Sequence, residues 1–179
     1  MKKTAVLLLL LVCFTFFHGC KKTEDGSYVA PITISEKLNG TWVLTELIQV
    51  DEIAKSNAEA DTAKVQQKLT NYLNFPSLTV TFSVDENNLP TSYAIAGTAP
   101  ALLSPSGYWK LDMSYPHTDN SVSRIFLYSD QAKTIQTATL YITAIPGSLP
   151  VLQFSLTRKV NGIPFVSYNY KFSIQNKTK

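Results

Sequence analysis

The sequence predicts an all-β fold, an eight-stranded antiparallel meander barrel with one helix between the first and second strands. Eight segments have the alternation, or the β-branched and aromatic composition, that is typical of strands. Short turn signals separate these segments along the chain, and only the segment after the first strand has helical spacing. Eight strands joined in order can close on themselves, which removes exposed sheet edges.

At the N-terminus, residues 1–20 have the pattern of an export signal. Lys2 and Lys3 precede an uncharged, mostly apolar run over residues 5–17, which is short for a transmembrane helix. Gly19-Cys20 follows, and a small residue directly before a cysteine resembles a bacterial lipoprotein signal. That resemblance implies a signal peptide over 1–19 and a lipid on the Cys20 sulfur. Two alternatives stay open: modification at Cys13, and a plain secretion signal with an incidental cysteine.

Charge and cysteine content after cleavage exclude several classes of protein. Residues 20–179 carry 14 basic and 13 acidic side chains, so net charge does not favour nucleic acid. Cys20 is the only cysteine left, which excludes an intramolecular disulfide. No later apolar run approaches the length of about 18 residues that predicts a membrane span, so we expect membrane attachment through the lipid alone.

The segment after the signal is predicted to be a flexible tether. Residues 20–35 mix charged and small polar side chains with Gly26 and Pro31, a composition that is typical of linkers. We therefore expect the barrel domain to span residues 36–179.

The first strand is predicted over residues 41–50 and the helix within residues 52–74. From Asp51, apolar residues recur at helical spacing, with a break near Asn57 left open. Asp51 could cap the helix, and Ser56 with Glu59 is a second candidate, as a capping box. Pro76 ends the element, because a proline forces the preceding residue out of helical geometry. The remaining seven strands are predicted over residues 78–84, 91–97, 108–113, 122–128, 134–145, 151–159 and 164–175.

A resemblance supports the barrel. Gly40-Thr41-Trp42, at the opening of the first strand, resembles the Gly-x-Trp signature of lipocalins. It implies that Trp42 closes one end of the barrel and packs under an arginine, for which Arg158 is the candidate. With the lipoprotein signal, the chain is similar to lipocalin-like lipoproteins of unknown function from Bacteroidota. Lipocalins usually place their main helix after the eighth strand, so the helix predicted here could cover the barrel mouth.

The residues of common catalytic and metal sites are sparse. After cleavage the chain keeps one histidine, His117, in a predicted turn, and it has no HExxH, CxxC, G-x-S-x-G or glycine-rich phosphate motif. We expect no metal and no cofactor. Glu46 and Asp112 are the candidate carboxylate pair for a hydrolase. Glu46 shares the parity of Trp42, which predicts an inward side chain, although a position at a solvated strand end is equally open.

Aromatic residues are the better candidates for a binding site. On the last strand, Tyr168, Tyr170 and Phe172 share one face, which could line a cavity for an apolar ligand with a polar end. Trp109 is a further candidate, as a ligand contact or a surface stacking platform. The simpler alternative for each of these residues is core packing.

The sequence therefore favours a non-catalytic lipoprotein of the cell envelope that is anchored at the outer membrane. Both the periplasmic face and the cell-surface face of that membrane stay open as its location. Its barrel is expected to bind a small apolar or amphipathic ligand. The alternative is an accessory subunit of an outer-membrane uptake or secretion complex, for example one that handles glycans. An enzyme that uses Glu46 and Asp112 is the third hypothesis.

Overall fold

A closed antiparallel barrel makes up most of the chain that the structure describes. The computed structural model describes residues 29–57, 61–71, 78–97 and 102–175. The chain divides into two units, Met1–Pro31 and Ile32–Lys179, and the second contains the barrel. Its strands are β1 (Gly40–Asp51), β2 (Gln66–Lys68), β3 (Thr79–Val84), β4 (Pro90–Ala96), β5 (Ser106–Leu111), β6 (Arg124–Tyr128), β7 (Gln136–Ala144), β8 (Val151–Val160) and β9 (Ile163–Ile174).

Strand β1 closes the barrel because it pairs with both ends of the meander. From β3 to β9 each strand pairs antiparallel with the next one in sequence. The first residues of β1 pair with β3, Gly40 opposite Phe82, and its longer C-terminal part pairs with β9, from Trp42 opposite Ile174 to Asp51 opposite Val166. The predicted eight-stranded antiparallel meander barrel is confirmed, with β2 as an additional strand.

The connection from β1 to β3 begins with the predicted helical structure and then departs from it. Helix α2 (Glu52–Lys55) is capped by the Asp51 carboxylate, which accepts from the amides of Ile53 and Ala54 at 3.0 and 2.9 Å. Helix α3 (Thr62–Val65) leads directly into β2.

The helix predicted between the first two barrel strands is confirmed, and within the predicted range of 52–74 the residues from Gln66 to Asn71 are not α-helical. Gln66–Lys68 is a strand, Leu69–Asn71 is a 3₁₀ turn, and residues 72–74 lie outside the described chain. Beyond Val43 the edge of β1 has no partner in β3, and β2 supplies one by pairing Gln66 with Val50 and Lys68 with Ile48. Completing this edge outweighs the weak helical preference of a short segment.

A short helix that the sequence analysis did not predict covers one end of the barrel. Helix α1 (Ile34–Leu38) begins at a capping box, in which Thr33 and Glu36 each accept from the other's backbone amide. Ile34 and Leu38 are fully buried. Ile34 and Ser35, which the sequence placed in the tether, therefore belong to the barrel domain. Cys20 and the rest of the predicted signal lie outside the described residues.

The two ends of the barrel differ in how they are covered. We call the end beneath α1 the closed end; it holds the start of β1, the β3–β4 turn and the segment after β5, where the Ile34 amide bonds the Ser114 carbonyl. We call the opposite end the open end; it holds the end of β1, the β4–β5 connection and the β8–β9 turn. Between them the inward side chains form one core of apolar and aromatic residues.

Candidate functional site

A small apolar cavity lies inside the barrel towards the open end. Its accessible space is about 20 Å³, which holds about one water molecule. The barrel is therefore largely filled by its own side chains. The cavity is lined by Leu78, Thr79, Val80, Ile95, Leu102, Leu103, Phe154, Tyr170 and Phe172.

Stacked aromatic rings form one wall of this cavity. The ring centroid of Phe154 on β8 lies 5.1 Å from that of Tyr170 and 5.2 Å from that of Phe172 on β9. The three rings come together because Phe154 is the cross-strand partner of Tyr170, and Phe172 is two residues further on the same face. Ring pairs of this kind stabilise packing by about 0.5–1.5 kcal/mol each beyond the burial of their area.

Polar groups lie at the outer rim of the aromatic wall. Arg158 follows Phe154 and Leu156 on the inward face of β8, and its guanidinium Nη2 donates to the Leu102 carbonyl at 2.7 Å. Tyr168 packs against the core next to Tyr170. Burial, with Tyr168 nearby, raises the pKa of the Tyr170 hydroxyl well above its ordinary value. The Tyr170 hydroxyl therefore stays protonated even in alkaline solution and can donate a hydrogen bond.

The structure brings only part of the predicted ligand face to the cavity. Tyr170 and Phe172 line it, and Tyr168 lies beside it. Trp109 lies elsewhere: it is fully buried near Phe82, with ring centroids 5.0 Å apart, and its indole N–H donates to the Ser83 carbonyl at 2.9 Å. A surface stacking role for Trp109 is therefore excluded.

Sequence reasoning missed Leu102 and Leu103. They lie in the β4–β5 connection, which has no strand or helix period to mark them as buried. The one available signal was a pair of leucines among small and polar loop residues.

The Gly-x-Trp opening is placed at the closed end, but its expected partner is not. Gly40 has φ +136°, a conformation that side chains disfavour. Trp42 is fully buried, and its indole N–H donates to the Leu38 carbonyl at 2.8 Å. Arg158 pairs with Val166, opposite the last residue of β1, whereas Trp42 is near the first. The expectation that Arg158 packs on Trp42 is wrong, because the register puts them at opposite ends.

The candidate carboxylate pair is not assembled. A bulge at Thr45 inserts one residue between Leu44 and Glu46 in the pairing with β9, which reverses the parity of β1. Glu46 therefore lies on the outer face, where it forms an ion pair with Lys68. The inward prediction for Glu46 is wrong for this reason.

Asp112 follows β5 at the closed end, where it holds a loop together. Its side chain accepts from the backbone amides of Met113 and Arg124, from Arg124 Nε at 3.0 Å and from His117 Nε2 at 3.1 Å. Burial alone raises its pKa, but these hydrogen bonds outweigh burial and hold the pKa of Asp112 below its ordinary value. His117, the one histidine after the signal, is thus a partner in a structural cluster.

The described residues contain neither a cluster of metal ligands nor a helix that could span a membrane. In the parts of the chain with assigned structure, no three His, Cys, Asp or Glu side chains converge as metal ligands would. Among the helices described, none has the length and hydropathy needed to cross a bilayer.

Comparison with known families places the chain. The model of a family described as a domain of unknown function (DUF5004) matches residues 17–173. The chain belongs to this family. Neither the curated proteins nor the solved structures include a match. The chain is thus a β-barrel member of the DUF5004 family. Its resemblance to lipocalins stays a prediction.

Proposed function

We propose that this DUF5004 protein is a lipid-anchored, non-catalytic binding protein of the outer membrane, and that its barrel binds a small apolar or amphipathic ligand at the open end. One observation carries the proposal. The largely filled barrel retains an apolar cavity at one end, with an aromatic wall and polar groups above it. That combination of apolar lining and a few polar groups is typical of small-molecule sites.

Access to the proposed site depends on two side chains. The cavity holds about one water as it stands, so a ligand has to displace Leu102 and Leu103, which are only partly buried and come from an irregular connection. Displacing loop side chains costs less than opening a strand pair. The ligand tail would then lie against Phe154, Tyr170 and Phe172.

The rim favours an anionic head group. Arg158 donates to a backbone carbonyl, Leu102 O, and a carboxylate would be a stronger acceptor for the same guanidinium. Moving Leu102 would release Arg158 for this role. An amphipathic carboxylate such as a fatty acid, whose tail would enter the space that Leu102 and Leu103 vacate, is therefore the ligand class that we propose.

Oleate binding tests this proposal. We expect Ile95→Phe, which fills the cavity, to abolish binding, and Leu103→Ala, which opens it, to strengthen binding. Leu89→Ala, at an exposed turn of the closed end, is the matched control and should change nothing. Arg158→Gln should weaken oleate binding roughly tenfold and leave oleyl alcohol unaffected. Oleate that binds equally well to the Ile95→Phe variant would exclude this cavity as the site.

The anchor is proposed at Cys20, and mass spectrometry of the chain isolated from cell envelopes tests it. We expect the mature chain to begin at Cys20 and to carry acyl groups. Cys20→Ser should leave the signal uncleaved or release an unmodified chain, whereas Cys13→Ser should be processed normally. Acylation that persists in Cys20→Ser would move the anchor to Cys13.

A second candidate function is an accessory subunit of an outer-membrane uptake or secretion complex, for example one for glycans. A separate groove at the closed end favours it. The groove lies beside the β7–β8 turn, has a volume of about 360 Å³, and is bordered by the highly exposed Leu149 and by Lys171. Co-purification of a membrane partner after mild detergent extraction, lost in Leu149→Asp, would support this function. A strictly monomeric detergent profile would count against it.

A further inference from the structure

Four exposed apolar side chains form a patch at the open end, which we call the hairpin-tip patch: Ile53, Val160, Ile163 and Phe165. The exposed fractions of Ile53, Val160 and Ile163 are 60%, 59% and 66%. Exposing apolar side chains of this size to water is unfavourable in free energy. Because they cluster at one place, the patch differs from scattered surface leucines, which need no explanation.

Packing and pairing bring Ile53, Val160 and Ile163 together, with Phe165 next to them on β9. Val160 and Ile163 are cross-strand partners on either side of the β8–β9 turn, and Phe165 lies at the register shift of this pairing, where it has no cross-strand partner. Ile53 on α2 lines a groove together with Ile163. Asn161 and Gly162 have φ +49° and +80°, as a tight two-residue hairpin turn requires. The patch is therefore a protruding and well-defined tip.

Cations surround this tip. Arg158 and Lys159 directly precede Val160, and Lys55 lines the groove beside Ile53. Among the described residues of α2, Glu52 pairs with Lys55 at 3.3 Å and Asp51 caps the helix, so the positive charge at the tip comes from Arg158 and Lys159. The surroundings of another exposed apolar residue, Leu89 in the β3–β4 turn, are different, since Asp85 and Glu86 precede it.

We propose that the hairpin-tip patch inserts into the surface of an anionic lipid bilayer. Apolar side chains that protrude beyond flanking cations match an interface in which acyl chains lie beneath negative head groups. A second copy of the chain fits the patch less well. Four side chains are far fewer than the roughly 20–30 residues that each partner contributes to a stable interface.

The number of residues between the proposed anchor at Cys20 and α1 permits this contact. Any chain of thirteen residues, the number from Lys21 to Thr33, spans at most about 45 Å. Strand β9, with 12 residues, is at most about 40 Å long. An anchor on the chain that enters at the closed end is therefore compatible with an open end that touches the same bilayer. The insertion itself does not depend on ligand binding in the barrel.

Tryptophan quenching tests the proposal on the full chain as isolated from cell envelopes. The two native tryptophans, Trp42 and Trp109, are fully buried and give a constant background. Ile163→Trp places a reporter in the patch, and Leu89→Trp is the matched control at the other end. The vesicles contain phosphatidylglycerol and phosphatidylcholine whose acyl chains are brominated at the depth of about 5–10 Å that interfacial side chains reach.

We expect the added indole in Ile163→Trp to shift its emission to the blue and to lose most of its intensity, while the indole in Leu89→Trp keeps its intensity. Adding Lys159→Glu to Ile163→Trp should weaken quenching on anionic vesicles and leave it unchanged on phosphatidylcholine alone. Equal quenching at both positions, or none at Ile163→Trp, would overturn the proposal. A blue shift that grows with protein concentration in the absence of vesicles would also overturn it, because a second copy would then cover the patch.

Discussion

The closed and open ends of the barrel are built from the same eight strands. They differ in how completely their polar groups are hydrogen-bonded and their interior is packed. At the closed end both indole N–H groups donate to carbonyls, and the Asp112 carboxylate accepts four hydrogen bonds. At the open end an internal cavity remains, and the buried hydroxyl of Tyr93 has no hydrogen bond of acceptable geometry.

The difference indicates where stability and binding reside. Buried groups with full hydrogen bonding make local opening costly, whereas incomplete packing makes it cheap. The closed end therefore supplies the rigid framework, and the open end is the place where side chains can move to admit a ligand. Substitutions of the same kind at the two ends should consequently have unequal effects.

The largest difference in unfolding free energy is expected when one large side chain at each end is replaced by alanine. Trp42→Ala removes a fully buried ring and the hydrogen bond to Leu38, and should lower the free energy of unfolding by about 3–5 kcal/mol. Ile163→Ala, in the exposed tip, should change it by no more than about 0.5 kcal/mol. Urea denaturation of both variants measures this. Similar midpoints for the two variants would contradict the division of the barrel into a rigid and a loose end.

The next effect concerns Asp112 and depends on pH. Because the pKa of Asp112 is lower in the folded state, its contribution is fully present above the unfolded pKa of about 3.9 and is lost as the pH falls through the folded value. Asp112→Asn should cost about 1–2 kcal/mol at neutral pH.

Urea denaturation of wild type and Asp112→Asn between neutral pH and strongly acidic pH measures this dependence. The two unfolding free energies should converge as the solution becomes acidic. A difference that stays constant across this range would show that the carboxylate charge contributes nothing.

Helix caps allow a matched test of the two ends. Thr33→Ala removes the cap of α1, whose Ile34 and Leu38 are buried in the core, and should cost about 1 kcal/mol in global stability. Asp51→Ala removes the cap of α2, which buries none of its residues, so the loss should stay local.

Hydrogen exchange separates these two outcomes. Thr33→Ala should speed exchange in α1 and throughout the barrel, whereas Asp51→Ala should speed it only at Ile53 and Ala54. Faster exchange across the barrel in Asp51→Ala would mean that α2 supports the core.

The smallest effect is expected at Tyr93. Its hydroxyl is buried beside Thr137 and Ser104, and burial raises its pKa. Removing a buried polar group without a good hydrogen bond recovers its desolvation cost, so Tyr93→Phe should be neutral or stabilising by up to about 1 kcal/mol. Thermal unfolding measures this. A clear destabilisation would show that Thr137, Ser104 or a water molecule does satisfy the hydroxyl.

Alternation predicted the strands well but could not locate irregularities within them. The strands from β3 to β9 lie within a few residues of their predicted bounds, because one buried face imposes a period of two. The bulge at Thr45 leaves no mark in the composition of β1, and it alone moved Glu46 from the inside to the outside. A parity argument along a strand is valid only as far as the next bulge.

The candidate site was predictable only in part. Tyr170 and Phe172 were predictable, since they lie on the apolar face of a long, regular strand. Leu102 and Leu103 were not, because burial of a loop residue depends on where the loop folds. Arg158 was predicted only as the partner of Trp42, because alternation along a strand does not indicate which end of the barrel a position occupies.

By itself the sequence determined an antiparallel meander of eight strands, because local alternation and turn residues report the period and the order of the elements. It also contains Thr33 and Glu36, a capping-box pair that signals the start of α1, which the sequence analysis did not predict. Only the tertiary structure decided which end of the barrel is sealed, where β2 pairs and how much space remains inside. Those properties depend on strand register and on side chains far apart in the chain, and neither leaves a local pattern.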